Sequence, residues 1–200
     1  MPVPTPLAHC RFWRSQRLAK LAARGLVALC WGWIAQAPAI AQEDGVGSLG
    51  AYSLQLGTAR HASRLGLNWE TAPWWVLPGD ARHGAWTAVS EFGVARWGAH
   101  GDLVPASVWQ LSVTPLFRYW SVDQPGLFWE AGIGVSAFRH THLPGDAIST
   151  AFQFGDHLGL GYQLSGHHRI GVRLSHFSNA GIKAPNPGLT LLQFTYTYLP

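Results

Sequence analysis

The chain has 200 residues, 48% of them hydrophobic, with 14 Lys and Arg against 10 Asp and Glu, 11 tryptophans and two cysteines. The basic excess is concentrated at the start: Arg11, Arg14, Arg17, Lys20 and Arg24 precede an apolar run from Gly25 to Ile34 and the small-x-small sequence Ala39-Ile40-Ala41. That is the pattern of a cleaved signal peptide over residues 1–41, followed by one domain over 42–200.

Without the leader, nine basic residues face ten acids, a balance near −1 that predicts no nucleic-acid partner. Cys10 and Cys30 leave with it, which excludes disulfide and thiol chemistry. The apolar run is shorter than the roughly 20 residues of a membrane-spanning helix. Leu29 is bulkier than the residue that precedes a lipoprotein cysteine.

After the leader the recurring signal is alternation, in segments of about ten residues bounded by Gly, Pro, Asp and His. Tyr52, Leu54 and Leu56 alternate with Ser53 and Gln55. Leu65, Leu67 and Trp69 then alternate with Arg64, Asn68 and Glu70. The segment near 84–97 is less regular, and its facing stays open. Trp109, Leu111, Val113, Phe117 and Tyr119 share one face, opposite Gln110, Ser112, Thr114 and Arg118. Leu127, Trp129, Ile133 and Val135 stand against Glu130, Gly132, Gly134 and Ser136. Phe154, Leu158, Leu160, Tyr162 and Leu164 oppose Gln153, Gly155, His157, Gly159 and Gly161. Ile170, Val172 and Leu174 oppose Arg169, Gly171 and Arg173, and Leu192, Phe194, Tyr196 and Tyr198 oppose Gln193, Thr195 and Thr197.

About eight amphipathic strands suit either a soluble sandwich or a membrane barrel with its faces inverted. The membrane barrel accounts for more. Its outer face is apolar with aromatic ends, and its inner face is polar and glycine-rich. Tilted strands of 9–11 residues cross a bilayer. Arg64, Glu70, Arg118, Glu130, Arg169 and Arg173 then meet inside as a paired network instead of lying as lone charges in an apolar core. The expected fold is all-β: an eight-stranded antiparallel transmembrane β-barrel of the outer-membrane type.

The seventh segment runs into His176-Phe177-Ser178-Asn179-Ala180-Gly181-Ile182-Lys183-Ala184-Pro185-Asn186-Pro187-Gly188. Residues i and i+2 of a strand share a face, so His176 and Ser178 stand side by side as a base and a hydroxyl it could activate. Their parity is that of Ile170, Val172 and Leu174, which places them on the lipid-facing side. A polar pair there is costly unless it has partners or a task. The bland alternative is that the strand simply leaves the bilayer at these residues.

The run HFSNAGIKAPNPG closely resembles the signature of the outer-membrane lipid A 3-O-deacylase (PagL) family, which reads H-x-S-N-x-G and then P-N near the next turn. The resemblance implies an eight-stranded barrel in the Gram-negative cell outer membrane that hydrolyses the 3-O-linked acyl chain of lipid A, with lipopolysaccharide as substrate and no cofactor or metal. It further implies Ser178 as nucleophile, His176 as general base, Asn186 as oxyanion donor and Asn179 as a residue that shapes the site. The family carries a glutamate fourteen residues after its histidine. Thr190 stands there in this chain; it can accept a hydrogen bond but cannot support an imidazolium by charge.

A second candidate for that role follows from the hairpin around Ser165-Gly166-His167. If Leu164 pairs with His168, the register carried along the hairpin sets Asp156 opposite His176 on the same face. A solvated residue near the strand end is the competing reading. His140 and His142 have metal-like spacing but no third ligand, and read as loop residues. Two rival functions remain at this point: a phospholipase-type esterase using the same pair, and a non-enzymatic or degenerate barrel without the usual triad acid. A single barrel and a homodimer are equally compatible with the sequence.

Overall fold

The computed structural model of the protein describes residues 50–200. The leader expected over 1–41, and the start of the domain before residue 50, lie outside the described residues.

Eleven strands follow in chain order: β1 Ala51–Thr58, β2 Ala62–Glu70, β3 Trp75–Leu77, β4 Trp86–Ala99, β5 Ser107–Trp120, β6 Leu127–Phe138, β7 His142–Leu143, β8 Asp146–Ala147, β9 Phe152–Gln163, β10 His168–Ser178 and β11 Leu189–Tyr198. Eight are long and pair antiparallel with two neighbours each, in the cyclic order β1-β2-β4-β5-β6-β9-β10-β11. Closure leaves no edge, so the ladders satisfy the backbone without water, as a hydrocarbon environment requires.

The faces decide between the two architectures considered from sequence. Leu67 is 61% exposed and Leu111 is 62% exposed, and the outer surface continues through Leu56, Leu158, Val172, Leu174 and Leu192. Polar side chains such as Gln55, Gln110, Thr114, Gln153 and Gln193 are buried inside. A soluble barrel would carry the opposite arrangement. This is a barrel that presents its apolar face to lipid.

The lumen has two layers. In one, Arg118 binds Glu70 through both terminal nitrogens at 2.7 and 2.8 Å and Glu130 through Nε at 2.9 Å. Arg169 joins Glu70 at 2.7 Å, and Arg173 bridges Glu130 and Glu91 at 2.8 Å. Five of the six charges expected inside form this network. Arg64 differs: it donates to the amide oxygens of Gln55, Gln110 and Gln193. Glu91, from the segment whose facing stayed open, supplies the third carboxylate.

The irregular look of that segment comes from mixed residue types on both faces, with Val89, Ala95 and Trp97 inward and Ser90 and Arg96 of outward parity, while the strand itself alternates without a break. β2 and β3 both pair with β4, but Thr71–Trp74 bulges between them, and β3 resumes two residues out of step.

The second layer is apolar. Trp97, Phe138 and Phe177 meet with ring centroids 6.0–6.2 Å apart, packed with Val108, Leu189 and Leu191. Leu143 and Ile148, from the connection between β6 and β9, join the same cluster and help close that end of the lumen. The expected polar, glycine-rich interior therefore holds along the ionic layer and gives way to an apolar plug at the end where β10 finishes.

Candidate active site

β10 ends at the motif, between β9 and β11. His176 lies opposite Asp156 of β9, in the register that the hairpin predicts, and opposite Thr190 of β11. Asp156, His176 and Thr190 thus form one cross-strand row on the outer face.

The anchor for this strand end points the other way. Phe177, between His176 and Ser178, is inward and buried among Trp97, Phe138 and the ring of His157 at 5.7 Å. On that same inner side, His157 Nδ1 and Ser175 Oγ lie 2.7 Å apart, and Gln193 Nε2 donates to Ser175 Oγ. The inner packing fixes the pleat, and the pleat presents His176 and Ser178 outward.

His176 is half-buried, and its Nδ1 lies 2.8 Å from Thr190 Oγ1. That contact orients the imidazole and leaves Nε2 for other work. Gly188 backs the ring, with φ at +70°. A Cβ there would lie 2.5 Å from Cε1 and 2.8 Å from Nε2. Only glycine tolerates both that backbone and that proximity.

Ser178 stands one pleat beyond His176, opposite Phe154, and is also half-buried. Its hydroxyl and the His176 ring share a face but are not hydrogen-bonded to each other. Asp156 is exposed beside His176, and the hydrogen bond to Nδ1 belongs to Thr190.

The asparagines organise the turn after β10. Asn179 is fully buried; its Nδ2 donates to Lys183 O at 2.8 Å and Ile148 O at 3.3 Å. Asn179 N donates to Asn186 Oδ1 at 3.1 Å, which directs the amide nitrogen of Asn186 away from that contact. Asn179 thus ties the site turn to the segment that closes the lumen. Ala180 and Gly181, both at positive φ, make the tight turn that follows.

Gly188 and Phe177 were not singled out from sequence as functional. Gly188 lies at the end of the motif itself, and strand parity alone turns Phe177 inward. His140 precedes the short hairpin of β7 and β8 and His142 is the first residue of β7, and no cluster of three or more metal-ligating side chains occurs among the described residues.

The sequence profile described as Lipid A 3-O-deacylase (PagL) matches residues 58–199. A relative from Bordetella bronchiseptica, lipid A deacylase PagL, is 43% identical over 168 residues, covering 84% of this chain and 93% of the relative. A second lipid A deacylase PagL, from Pseudomonas aeruginosa, is 32% identical over 135 residues, 66% of this chain and 75% of that protein. The crystal structure of the outer membrane enzyme PagL superposes with a TM-score of 0.63 at 30% identity, covering 74% of this chain and 97% of the other. Together with the closed eight-stranded barrel and its lipid-facing wall, these matches place the chain in the outer membrane as a member of the lipid A 3-O-deacylase (PagL) family.

Proposed function

We propose that the protein hydrolyses the 3-O-linked acyl ester of lipid A by a serine–histidine mechanism, with the motif residues in the roles their positions suit. The carrying observation is that His176 and Ser178 share the lipid-facing wall, with His176 Nδ1 occupied by Thr190. A soluble ester would not need a site on that wall; a membrane lipid would.

Nε2 of His176 takes the Ser178 proton as Oγ attacks the ester carbonyl. The oxyanion that forms is held by Nδ2 of Asn186 and backbone N–H groups of the turn after Asn179. His176 returns the proton to the sugar oxygen as the C–O bond breaks. Water then hydrolyses the acyl-serine by the same base and releases free fatty acid. Apo hydrogen bonds at such sites are often long and tighten on the substrate, which suits the unjoined Ser178 and His176.

Thr190 orients the ring but brings no charge to the imidazolium. Asp156, directly opposite His176, is the carboxylate that would supply it through space. Opposed antiparallel residues have Cβ atoms about 4.5–5.5 Å apart, close enough for a charge to act without a direct bond.

The test is mass spectrometry of lipid A from cells expressing the wild type, Ser178→Ala and His176→Ala. Wild type should remove one 3-hydroxy acyl chain, and both variants should leave lipid A intact. If wild type and Ser178→Ala leave identical lipid A, the reading is lost. Fatty acid released from phospholipid instead would transfer the same chemistry to a phospholipase.

A further inference from the structure

Besides the Asp156–His176–Thr190 row, a second row of the outer surface departs from its apolar character. Arg96 of β4 pairs with Trp109 of β5. Arg139 N donates to Trp109 O at 2.9 Å, which extends the β5–β6 register one residue past Gln110 and Phe138. Two arginines therefore flank an outward, half-exposed tryptophan at the end of the barrel that carries the motif.

Beneath them the wall is apolar for two successive rows, Val94–Leu111–Ala137 and then Phe92–Val113–Val135. The lower row continues across β9 and β10 as Val135–Phe154–Ser178. The arginine row and the nucleophile are thus joined by continuous lipid-facing wall. Arg139 lies four residues, about 13 Å, along β6 from Val135, and Val135 lies two strands, about 10 Å, from Ser178.

Among the described residues neither arginine has an acidic partner. Arg96 donates one hydrogen bond at 3.3 Å to Ser107 Oγ, and the Arg139 side chain makes none with the described residues. The arginine ion pairs among the described residues are all inside the barrel. Cations on a lipid-facing wall are costly unless they meet an anion at the membrane surface. Guanidinium groups bind phosphate oxygens bidentately, and tryptophan settles at the headgroup level.

We propose that Arg96, Trp109 and Arg139 form a subsite for a phosphate of the glycolipid substrate, its acyl chains lying on the apolar rows below. The subsite rests on the deacylase reading. It adds that the headgroup is held by charge at one side while the ester reaches Ser178, a span suited to a phosphorylated disaccharide.

The full chain, purified in detergent, is assayed on lipid A and on the same lipid A stripped of phosphate. Arg96→Gln/Arg139→Gln should raise KM for the phosphorylated lipid about tenfold, with kcat within about twofold, and change neither on the stripped lipid. A second arm needs no turnover: Ser178→Ala should bind the phosphorylated lipid more tightly than the stripped one, and the arginine variants should erase the difference. Equal losses on both lipids, or no loss on either, would overturn the subsite. If wild type cleaves neither lipid, the deacylase reading falls, and the binding arm alone decides the subsite: a phosphate-dependent difference supports it and none refutes it.

Discussion

His176 Nδ1 and Thr190 Oγ1 lie 2.8 Å apart, so a neutral hydroxyl, and no carboxylate, holds the ring. Orientation and charge, which one acid supplies in a serine–histidine triad, are separated in this site. The neutral partner fixes the ring but gives the imidazolium no charge support. Thr190→Glu should restore both and raise kcat by at least about tenfold, with KM little changed. Steady-state release of fatty acid from lipid A measures it, and an unchanged or lower kcat in a folded variant would show that Thr190 is not a weakened acid position.

Asp156 supplies the complementary test. If its charge supports the imidazolium from across the strand pair, Asp156→Asn should lower kcat several-fold in the wild-type background. In a Thr190→Glu background the loss should shrink, because the imidazolium then has a nearer carboxylate. A double-mutant cycle on kcat reports the coupling; additive effects would show that Asp156 does not act through the imidazolium, and no loss in either background would make it a solvated bystander.

The close approach of Gly188 to the imidazole makes this position sensitive to any added side chain. Gly188→Ala forces a side chain into positive φ, at about 1–2 kcal/mol, and sets a methyl against Cε1 and Nε2. The ring must move. Misplacing a catalytic group by about 1 Å costs on the order of 100-fold in rate, and that is the expected fall in kcat. A heat-modifiable gel shift should show that the barrel still forms.

Phe177 tests whether the inner plug sets the outer site. Phe177→Ala removes the ring that Trp97 and Phe138 pack against, and should cost about 3–5 kcal/mol in urea unfolding from detergent micelles. Phe177→Leu keeps most of the volume and should recover most of the stability. If activity follows stability through this pair, the plug positions the motif; if Phe177→Ala folds with full activity, the pleat is held elsewhere.

Alternation made the barrel legible because a half-buried strand has a side-chain period of two, and one residue of slip would turn the inward arginines Arg64, Arg118, Arg169 and Arg173 to the lipid. The same parity placed His176 and Ser178 outward, and the four-residue hairpin after β9 set Asp156 against His176. Two features escaped for physical reasons. Glu91 was hidden because its strand mixes residue types on both faces: Val89, Ala95 and Trp97 turn inward beside it, while Ser90 and Arg96 have the outward parity. The apolar plug was hidden because tryptophan and phenylalanine also mark the lipid face, so Trp97 cannot be assigned inward by type. Only position distinguishes the two, and Phe177 carries that information between two residues of the motif.

The ionic layer provides the last test, because its members are legible from sequence but their pairing is not. Glu130 accepts from Arg118 Nε at 2.9 Å and Arg173 Nε at 2.8 Å, joining the two halves of the network. Glu130→Gln leaves both guanidinium groups short of a counter-charge in a buried layer. Removing one partner of a buried pair typically costs about 3–5 kcal/mol, because the desolvation of the remaining charge is no longer offset. The urea midpoint should fall accordingly, while kcat in the surviving folded fraction should change less than in the Gly188 variant, since the layer lies inside the barrel and His176 on its outer face. A kcat loss as large as that of Gly188→Ala would show that the charge network reaches the site through β10, where Arg173 and His176 are three residues apart.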